Sequence, residues 1–183
     1  KLDTLTKEDI LVLAGSIPNT LPEDIYEKIL ARLESKGIRI VVDATKDLLL
    51  NVLKYHPFLI KPNNHELGEM FGTVCKTDED IIHYAKKLQE MGAVNVLISM
   101  AGDGAILITE DGQNIKMGTP KGKVVNSVGA GDSMVAGFIT GYIRGGNYEE
   151  ALKSGTAAGS ATAFSEGLAS LEMYEKMLKQ ITE

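Results

Sequence analysis

Short apolar runs alternate with amphipathic segments along this chain. The runs are rich in Ile, Val and Leu and are apolar throughout, which indicates strands buried on both faces of a sheet. The predicted strands span 10–14, 38–43, 58–61, 94–99, 105–109 and 123–125. The letters EDGQN at 110–114 indicate a tight turn, so 105–109 and 115–118 are expected to pair as an antiparallel hairpin.

The amphipathic segments carry helix start and stop signals. Pro22 opens one segment and Gly37 stands just beyond its end, while Asn147 followed by Glu150 matches a capping box. The predicted helices span 22–36, 78–91, 148–164 and 171–182, with Thr77, Asn147 and Ser170 as N-caps. Strands and helices in alternation predict an α/β fold, a mostly parallel sheet flanked by helices and joined by right-handed crossovers.

Composition narrows the range of partners. The net charge is −6 and no Lys- or Arg-rich block occurs, which argues against nucleic acid or an acidic membrane surface as the main partner. The longest apolar runs are far shorter than the ~20 residues that span a bilayer. The single cysteine, Cys75, excludes an internal disulfide and fits a reducing, cytoplasmic location. A length of 183 residues suits about one domain.

The segment GAGD at 129–132 places an acid where a glycine-rich turn meets a predicted helix. Small residues let the backbone approach a ligand closely, and the first helical amides and the helix dipole favour an anion. Asp132 then has two candidate roles. It can be a helix cap, or it can be a general base that takes a proton from a hydroxyl while the amides hold a phosphoryl group.

Small residues form one face of the helix after Asp132 and of a later helix. Ser133, Gly137 and Gly141 recur every fourth residue, and Gly155 and Gly159 repeat the spacing. Because each interior glycine costs about 1 kcal/mol relative to alanine, something is expected to pack closely there. Close helix–helix packing is one interpretation, and a flat ligand such as adenine between the helices is the other.

Other candidate residues have ordinary explanations when each is taken alone. Asn63 can cap a following helix with Glu66 at its third position. Lys61 can be a solvated charge, and 99–104 can form a simple turn. Neither glycine cluster continues into the Lys-Ser/Thr of a Walker loop or into the third glycine of a dinucleotide fingerprint.

Four segments together resemble the PfkB family of sugar kinases, also called the ribokinase-like family. They are LAGSIP at 13–18, LIKPNNHELGEMFG at 59–72, LISMAGDGAILIT at 97–109 and NSVGAGDSMVAGF at 126–138. The motifs follow the family's order and cover nearly the whole chain. The resemblance implies a ribokinase-like α/β fold that lacks its N-terminal strands and lid, so that residues 1–183 form a single nucleotide-binding domain from the C-terminal portion of a larger kinase.

The resemblance also implies roles for the matching residues. Asp132 matches the catalytic base, and the anion hole matches Gly129, Ala130 and Gly131. The nucleotide-binding positions match Lys61, Ser99, Gly102, Asp103, Gly104 and Gly131. The sugar side matches Gly15, Ser16 and Asp132, and the pair that places Mg²⁺ through water matches Asn63 and Glu66.

The implied activity is transfer of a phosphoryl group from ATP, with Mg²⁺, to a hydroxyl of a phosphorylated ketohexose. Fructose 1-phosphate is the first expectation and tagatose 6-phosphate the second. Ala14 and 19–20 depart from the family's usual residues on the sugar side. A monovalent cation such as K⁺ near 165–167 and a homodimer in the full-length protein are further expectations from the resemblance.

Two other hypotheses stay open at this point. The chain can be a nucleotide-binding module without catalysis, or an unrelated α/β protein in which Asp132 only caps a helix. If the chain is instead part of such a kinase, the resemblance implies that the isolated fragment has little kinase activity, because it lacks the family's lid and sugar-binding aspartate.

Overall fold

The computed structural model describes residues 1–182. The strands are β1 (Ile10–Ala14), β2 (Arg39–Asp43), β3 (Leu59–Ile60), β4 (Asn95–Ser99), β5 (Ala105–Ile108) and β6 (Asn114–Met117). The helices are α1 (Ile25–Leu33), α2 (Lys46–Val52), α3 (Asn64–Met70), α4 (Asp78–Glu90), α5 (Ala130–Gly145), α6 (Tyr148–Ala163) and α7 (Leu171–Thr182). Contacts divide the chain into two compact units. Unit 1 holds 1–98 and 108–113, and unit 2 holds 99–107 and the chain from Asn114 onward.

Unit 1 is built on parallel strands. Strands β1 to β4 lie side by side in the order of the sequence, and each pairs in parallel with the next. In β2, β3 and β4 the apolar side chains are shielded on both faces, and Val41, Val42 and Val96 are fully buried. Strand β1 differs from the expectation, because only Leu13 is buried and Val12 is 40% exposed. Burial of the other three strands explains their continuous apolar runs, and the predicted α/β class with a mostly parallel sheet is confirmed.

The helices of unit 1 turn one apolar face inward. In α4 the buried residues Ile81, Ala85 and Leu88 recur at helical spacing. Thr77 caps this helix as predicted, because its hydroxyl accepts the N–H of Asp80 and the Asp80 carboxylate accepts the N–H of Thr77. Helix α4 is thereby held at its start by a capping box.

Unit 2 holds strand β6, all of β5 except Ile108, and three helices. Strands β5 and β6 are neighbours in the sheet, joined by a turn in which the Thr109 N–H donates to the Gln113 carbonyl. A link this short joins antiparallel strands, as predicted. Helix α6 packs against both α5 and α7, and its contact with α7 centres on Ala157, Ala161 and Met177.

One predicted helix is wrong in part, and one predicted strand is wrong. The helix expected at 22–36 begins only at Ile25, because 22–24 form a turn closed by the Ile25 N–H on the Pro22 carbonyl. The strand expected at 123–125 does not form. Val124 and Val125 are 61% and 53% exposed, and the Val125 N–H donates to the Ala163 carbonyl at the end of α6 instead of to a strand.

Candidate functional site

The acid of the GAGD segment stands in the first turn of α5. Gly129 is the N-cap residue with φ = 78°, a left-handed conformation that glycine tolerates far better than other residues. Asp132 is the third residue of the helix and is exposed. Within residues 1–182 its carboxylate accepts no hydrogen bond and forms no ion pair, so it does not act as a hydrogen-bonded cap.

The amides beside Asp132 are only partly available. The Ala130 N–H donates to the Ser127 carbonyl at 3.2 Å, and the Ser133 N–H donates to the Gly129 carbonyl at 2.9 Å. The N–H groups of Gly129, Gly131 and Asp132 find no acceptor in the part of the chain that the structure describes. An anion at this helix start would therefore meet three free amides, and the amide of Ala130 would not be among them.

The predicted nucleotide loop follows β4. Ser99 ends the strand, and Ala101–Asp103 form an exposed 3₁₀ turn that the Met100 N–H closes on the Gly104 carbonyl. Gly104 has φ = 90°, and a Cβ there would lie 2.0 Å from the Met117 carbonyl oxygen. A Cβ on Gly102 would meet nothing within 4 Å. Close packing thus explains why residue 104 is a glycine. At Gly102 the open space around the Cβ position leaves room for a ligand.

The small-residue faces of α5 and α6 pack directly against each other. A Cβ on Gly137 would lie 2.6 Å from the Ala158 Cβ, and a Cβ on Gly155 would lie 2.9 Å from the Met134 carbonyl oxygen. The Thr162 hydroxyl donates to the Ser133 hydroxyl across the same interface at 2.8 Å. Close helix–helix packing therefore accounts for the glycines, and a flat ligand such as adenine flanked by the two helices stays a prediction.

Asn63 and Glu66 meet at the start of α3, in unit 1. The Asn63 side-chain oxygen accepts the N–H groups of His65 and Glu66, both at 2.9 Å, and the Glu66 carboxylate accepts the Asn63 N–H at 2.8 Å. The two residues form a capping box, which was the ordinary explanation of this pair. Capping and a second role are compatible, because one Glu66 oxygen makes none of these bonds.

The oxygen atoms of this pair fit a magnesium ion only in a limited way. Among residues 1–182 no group of three or more His, Cys, Asp or Glu side chains could hold a metal ion. The Asn63 oxygen is already engaged by two amides. Mg²⁺ commonly keeps several waters and binds through one or two carboxylates together with phosphates, so the pair suits an ion that arrives with a nucleotide.

Lys61 is not a solvated charge. It follows β3 directly, is only 6% exposed, and its ammonium lies 3.3 Å from an Asp43 carboxylate oxygen. The sequence did not identify Asp43 as a candidate site residue. The signal that could have found it is its place as the polar residue ending a buried parallel strand, since ligands of α/β sheets bind at the carboxyl ends of strands.

Gly15 and Ser16 follow β1 at the same edge of unit 1. Gly15 has φ = 84° and open space at its Cβ position, and its N–H donates to the Asp43 carbonyl at 2.9 Å. Tyr26 in α1 donates its hydroxyl to the carbonyls of Ala14 and Gly15 at 2.9 and 3.1 Å. Burial, and then the nearby Asp43 carboxylate, raise the pKa of Tyr26. Tyr26 is a second residue of this edge that the sequence analysis missed.

The predicted residues therefore fall into two sets. Gly15, Ser16, Lys61, Asn63 and Glu66 belong to unit 1, where Asp43 joins them. The loop after β4 and the start of α5 belong to unit 2.

No helix within residues 1–182 has the length and apolar content needed to cross a membrane.

Comparison with known proteins finds a consistent set of relatives. The pfkB family of carbohydrate kinases matches residues 1–173. A 1-phosphofructokinase of Bacillus subtilis (strain 168) is 49% identical over 181 residues, which are 99% of this chain and 59% of the relative. A D-tagatose-1-phosphate kinase of Bacillus licheniformis is 38% identical over 172 residues, which are 93% of this chain and 56% of the relative.

Solved structures with a similar fold come from the same kind of protein as these relatives. The phosphofructokinase-2 from Escherichia coli, in complex with substrates and products, superposes with a TM-score of 0.91 at 26% identity. The match covers 100% of this chain and 60% of the other. This chain thus spans less than two thirds of the length of the proteins that it resembles.

Proposed function

Because this chain belongs to the pfkB family of carbohydrate kinases, we propose that the protein transfers the γ-phosphoryl group of ATP to a hydroxyl of a phosphorylated ketohexose. The observation that carries the proposal is the exposed, unpaired carboxylate of Asp132 beside the free amides of Gly129, Gly131 and Asp132 at the start of α5. A carboxylate in that setting can accept the proton of a hydroxyl while the amides bind a phosphoryl oxygen.

The proposed roles of the residues follow from phosphoryl-transfer chemistry. Asp132 takes the hydroxyl proton, which leaves the oxygen as a nucleophile for the γ-phosphorus. The N–H groups of Gly131 and Asp132 donate to the transferring group, whose charge they stabilise. The loop at 99–104 lies against the nucleotide, and Lys61 donates to a phosphate. Magnesium supplies charge neutralisation when it is bound with the nucleotide, and Asn63 and Glu66 would hold its waters.

Fructose 1-phosphate is the acceptor we favour. The Bacillus subtilis relative named 1-phosphofructokinase is the more similar of the two relatives described above, at 49% identity. A tagatose phosphate is the second candidate, and the Bacillus licheniformis relative favours it as the 1-phosphate rather than the 6-phosphate. Comparing kcat/KM for fructose 1-phosphate, tagatose 1-phosphate and tagatose 6-phosphate in the full-length protein decides between them. A monovalent cation and a homodimer remain predictions.

The general-base role is tested by Asp132→Asn in the full-length protein. We expect kcat to fall by about 10²–10⁴-fold, the usual contribution of a positioned base, while the affinity for ATP, measured by calorimetry, stays nearly unchanged. Glu149→Gln is the matched control, since Glu149 is an exposed acid in the first turn of α6. Near-normal turnover of Asp132→Asn would contradict the proposed base, and an unmodified protein that binds ATP without transferring phosphate would favour a non-catalytic module.

A further inference from the structure

A buried ion pair lies at the carboxyl end of the parallel strands in unit 1. It joins Lys61, just after β3, to Asp43, the last residue of β2. We propose that Asp43 is a positioning residue that holds the Lys61 ammonium in place for a phosphate of the nucleotide. This inference rests on the proposed function, because it assigns Asp43 a task in binding the nucleotide of that reaction.

The backbone around the pair is fixed on both sides of β2. Asp43 stands opposite Ala14 of β1 in the parallel register, and its carbonyl accepts the Gly15 N–H at 2.9 Å. On the other side, the Lys61 N–H donates to the Val42 carbonyl at 3.3 Å. Asp43 therefore has little freedom in its main chain. Its side chain reaches the neighbouring strand end, where Lys61 leads directly into Asn63 at the start of α3.

The electrostatics of the pair require both partners. The side chains of Lys61 and Asp43 are 8% and 19% exposed, and the nitrogen and oxygen atoms lie 3.3 Å apart. An ammonium removed from water to this extent is costly unless an opposite charge accompanies it. Within the part of the chain that the structure describes, Asp43 is the only acid in contact with Lys61.

The pair leaves Lys61 able to bind a further group. An ammonium carries three N–H donors, and the ion pair with Asp43 at 3.3 Å occupies at most one of them. Two donors remain for an anion at the strand ends, the place where α/β sheets bind their ligands. A buried ion pair is by itself weak evidence of stability, since apolar residues of similar size often replace such pairs without loss. Its presence at this edge therefore fits a need for a fixed positive charge.

The test is a double-mutant cycle in the full-length protein with Asp43→Asn, Lys61→Met and the double variant. Asp43→Asn is expected to raise the KM for ATP by about 10- to 100-fold, the range typical of partners that orient a ligating side chain. The KM for the phosphosugar should stay within about twofold. The double variant should match Lys61→Met within about twofold, because a residue that acts through Lys61 has nothing to add once Lys61 is gone.

Asp47→Asn, an exposed acid in α2, is the matched control. All kinetics are measured well below the melting temperature of each variant, so that loss of folded protein does not enter. The inference is overturned if Asp43→Asn behaves like Asp47→Asn, if the KM values for ATP and phosphosugar rise together, or if the effects of the single changes multiply in the double variant. Absence of phosphoryl transfer in the unmodified protein would instead contradict the proposed function.

Discussion

Tyr26 ties helix α1 to the end of strand β1. Its hydroxyl donates to the carbonyls of Ala14 and Gly15, and the residue is 8% exposed. We expect Tyr26→Phe to lower the free energy of unfolding by about 0.5–1.5 kcal/mol, because the carbonyls of Ala14 and Gly15 lose the hydroxyl donor that they share. Urea denaturation measures the change. Tyr84→Phe is the control, since the Tyr84 hydroxyl forms no hydrogen bond within residues 1–182, and it should shift stability by less than about 0.5 kcal/mol.

Tyr26 also makes the stability of the folded protein depend on pH. Burial, followed by the Asp43 carboxylate, raises the pKa of Tyr26, so the folded protein holds the phenolic proton more tightly than the unfolded chain does. The stabilisation by its hydrogen bonds is therefore complete below the ordinary tyrosine pKa of about 10 and is lost as the pH rises through the raised value. Tyr26→Phe should lack this alkaline loss. An equal loss in both proteins would show that another group causes it.

Individual residues could be predicted from the sequence where their partners are close along the chain. The caps at Thr77 and Asn63 are local, because each cap bonds to an amide three residues later. Lys61 taken alone could also have been a solvated charge, because its partner Asp43 stands eighteen positions earlier, at the end of another strand. Long-range pairing of this kind leaves no mark in a local pattern.

At the scale of elements, the contact between α5 and α6 depends on glycine. A Cβ on Gly141 would lie 2.5 Å from the Glu150 carbonyl oxygen and 2.7 Å from the Ser154 Cβ. We expect Gly141→Ala to lower the free energy of unfolding by about 1–3 kcal/mol through overpacking, although alanine favours an isolated helix by about 1 kcal/mol. Chemical denaturation measures the change.

Gly118→Ala is the control for the helix contact, because a Cβ at that position meets nothing within 4 Å and its backbone is not left-handed. It should leave stability within about 0.5 kcal/mol of the unmodified protein. If Gly141→Ala proved as stable as Gly118→Ala, the two helices would not pack as closely as described.

The boundaries of helices and strands match the predicted ones where the sequence pattern is strong. Strand β1 and helix α7 have the predicted bounds, since an apolar run and a Ser170 cap mark them clearly. The segment at 123–125 has strand-forming valines, but it is held by the Ala163 carbonyl and stays exposed. Strand propensity alone therefore gave a wrong prediction for this segment, because a strand needs a neighbouring strand to pair with as well as suitable residues.

At the scale of the whole molecule, the ribokinase-like α/β fold was predictable because four motifs in the family's order span the chain. The candidate site was predictable only in the residues that those motifs contain. Asp43 and Tyr26 lie outside them and emerged from the register of β1, β2 and β3. A motif records residue types at fixed spacing, whereas the partners that hold those residues come from distant positions.

The isolated chain is expected to be a poor kinase. It spans 59% of the Bacillus subtilis relative, so most of the sugar-binding surface of such a protein is expected to lie in the remainder. Phosphosugar-dependent formation of ADP by the 183-residue chain should be weak compared with that of the full-length protein, because a reacting group must be held in place and shielded from water. Comparable turnover of the two would contradict this expectation.

The side-by-side order of β1 to β4 has a consequence for how the chain acquires its structure. Each of these strands pairs with the strand that follows it, so each pairing within unit 1 closes only one connecting segment. Lys61 meets Asp43 once β3 has paired with β2, so the charged pair depends on no strand of unit 1 that follows β3.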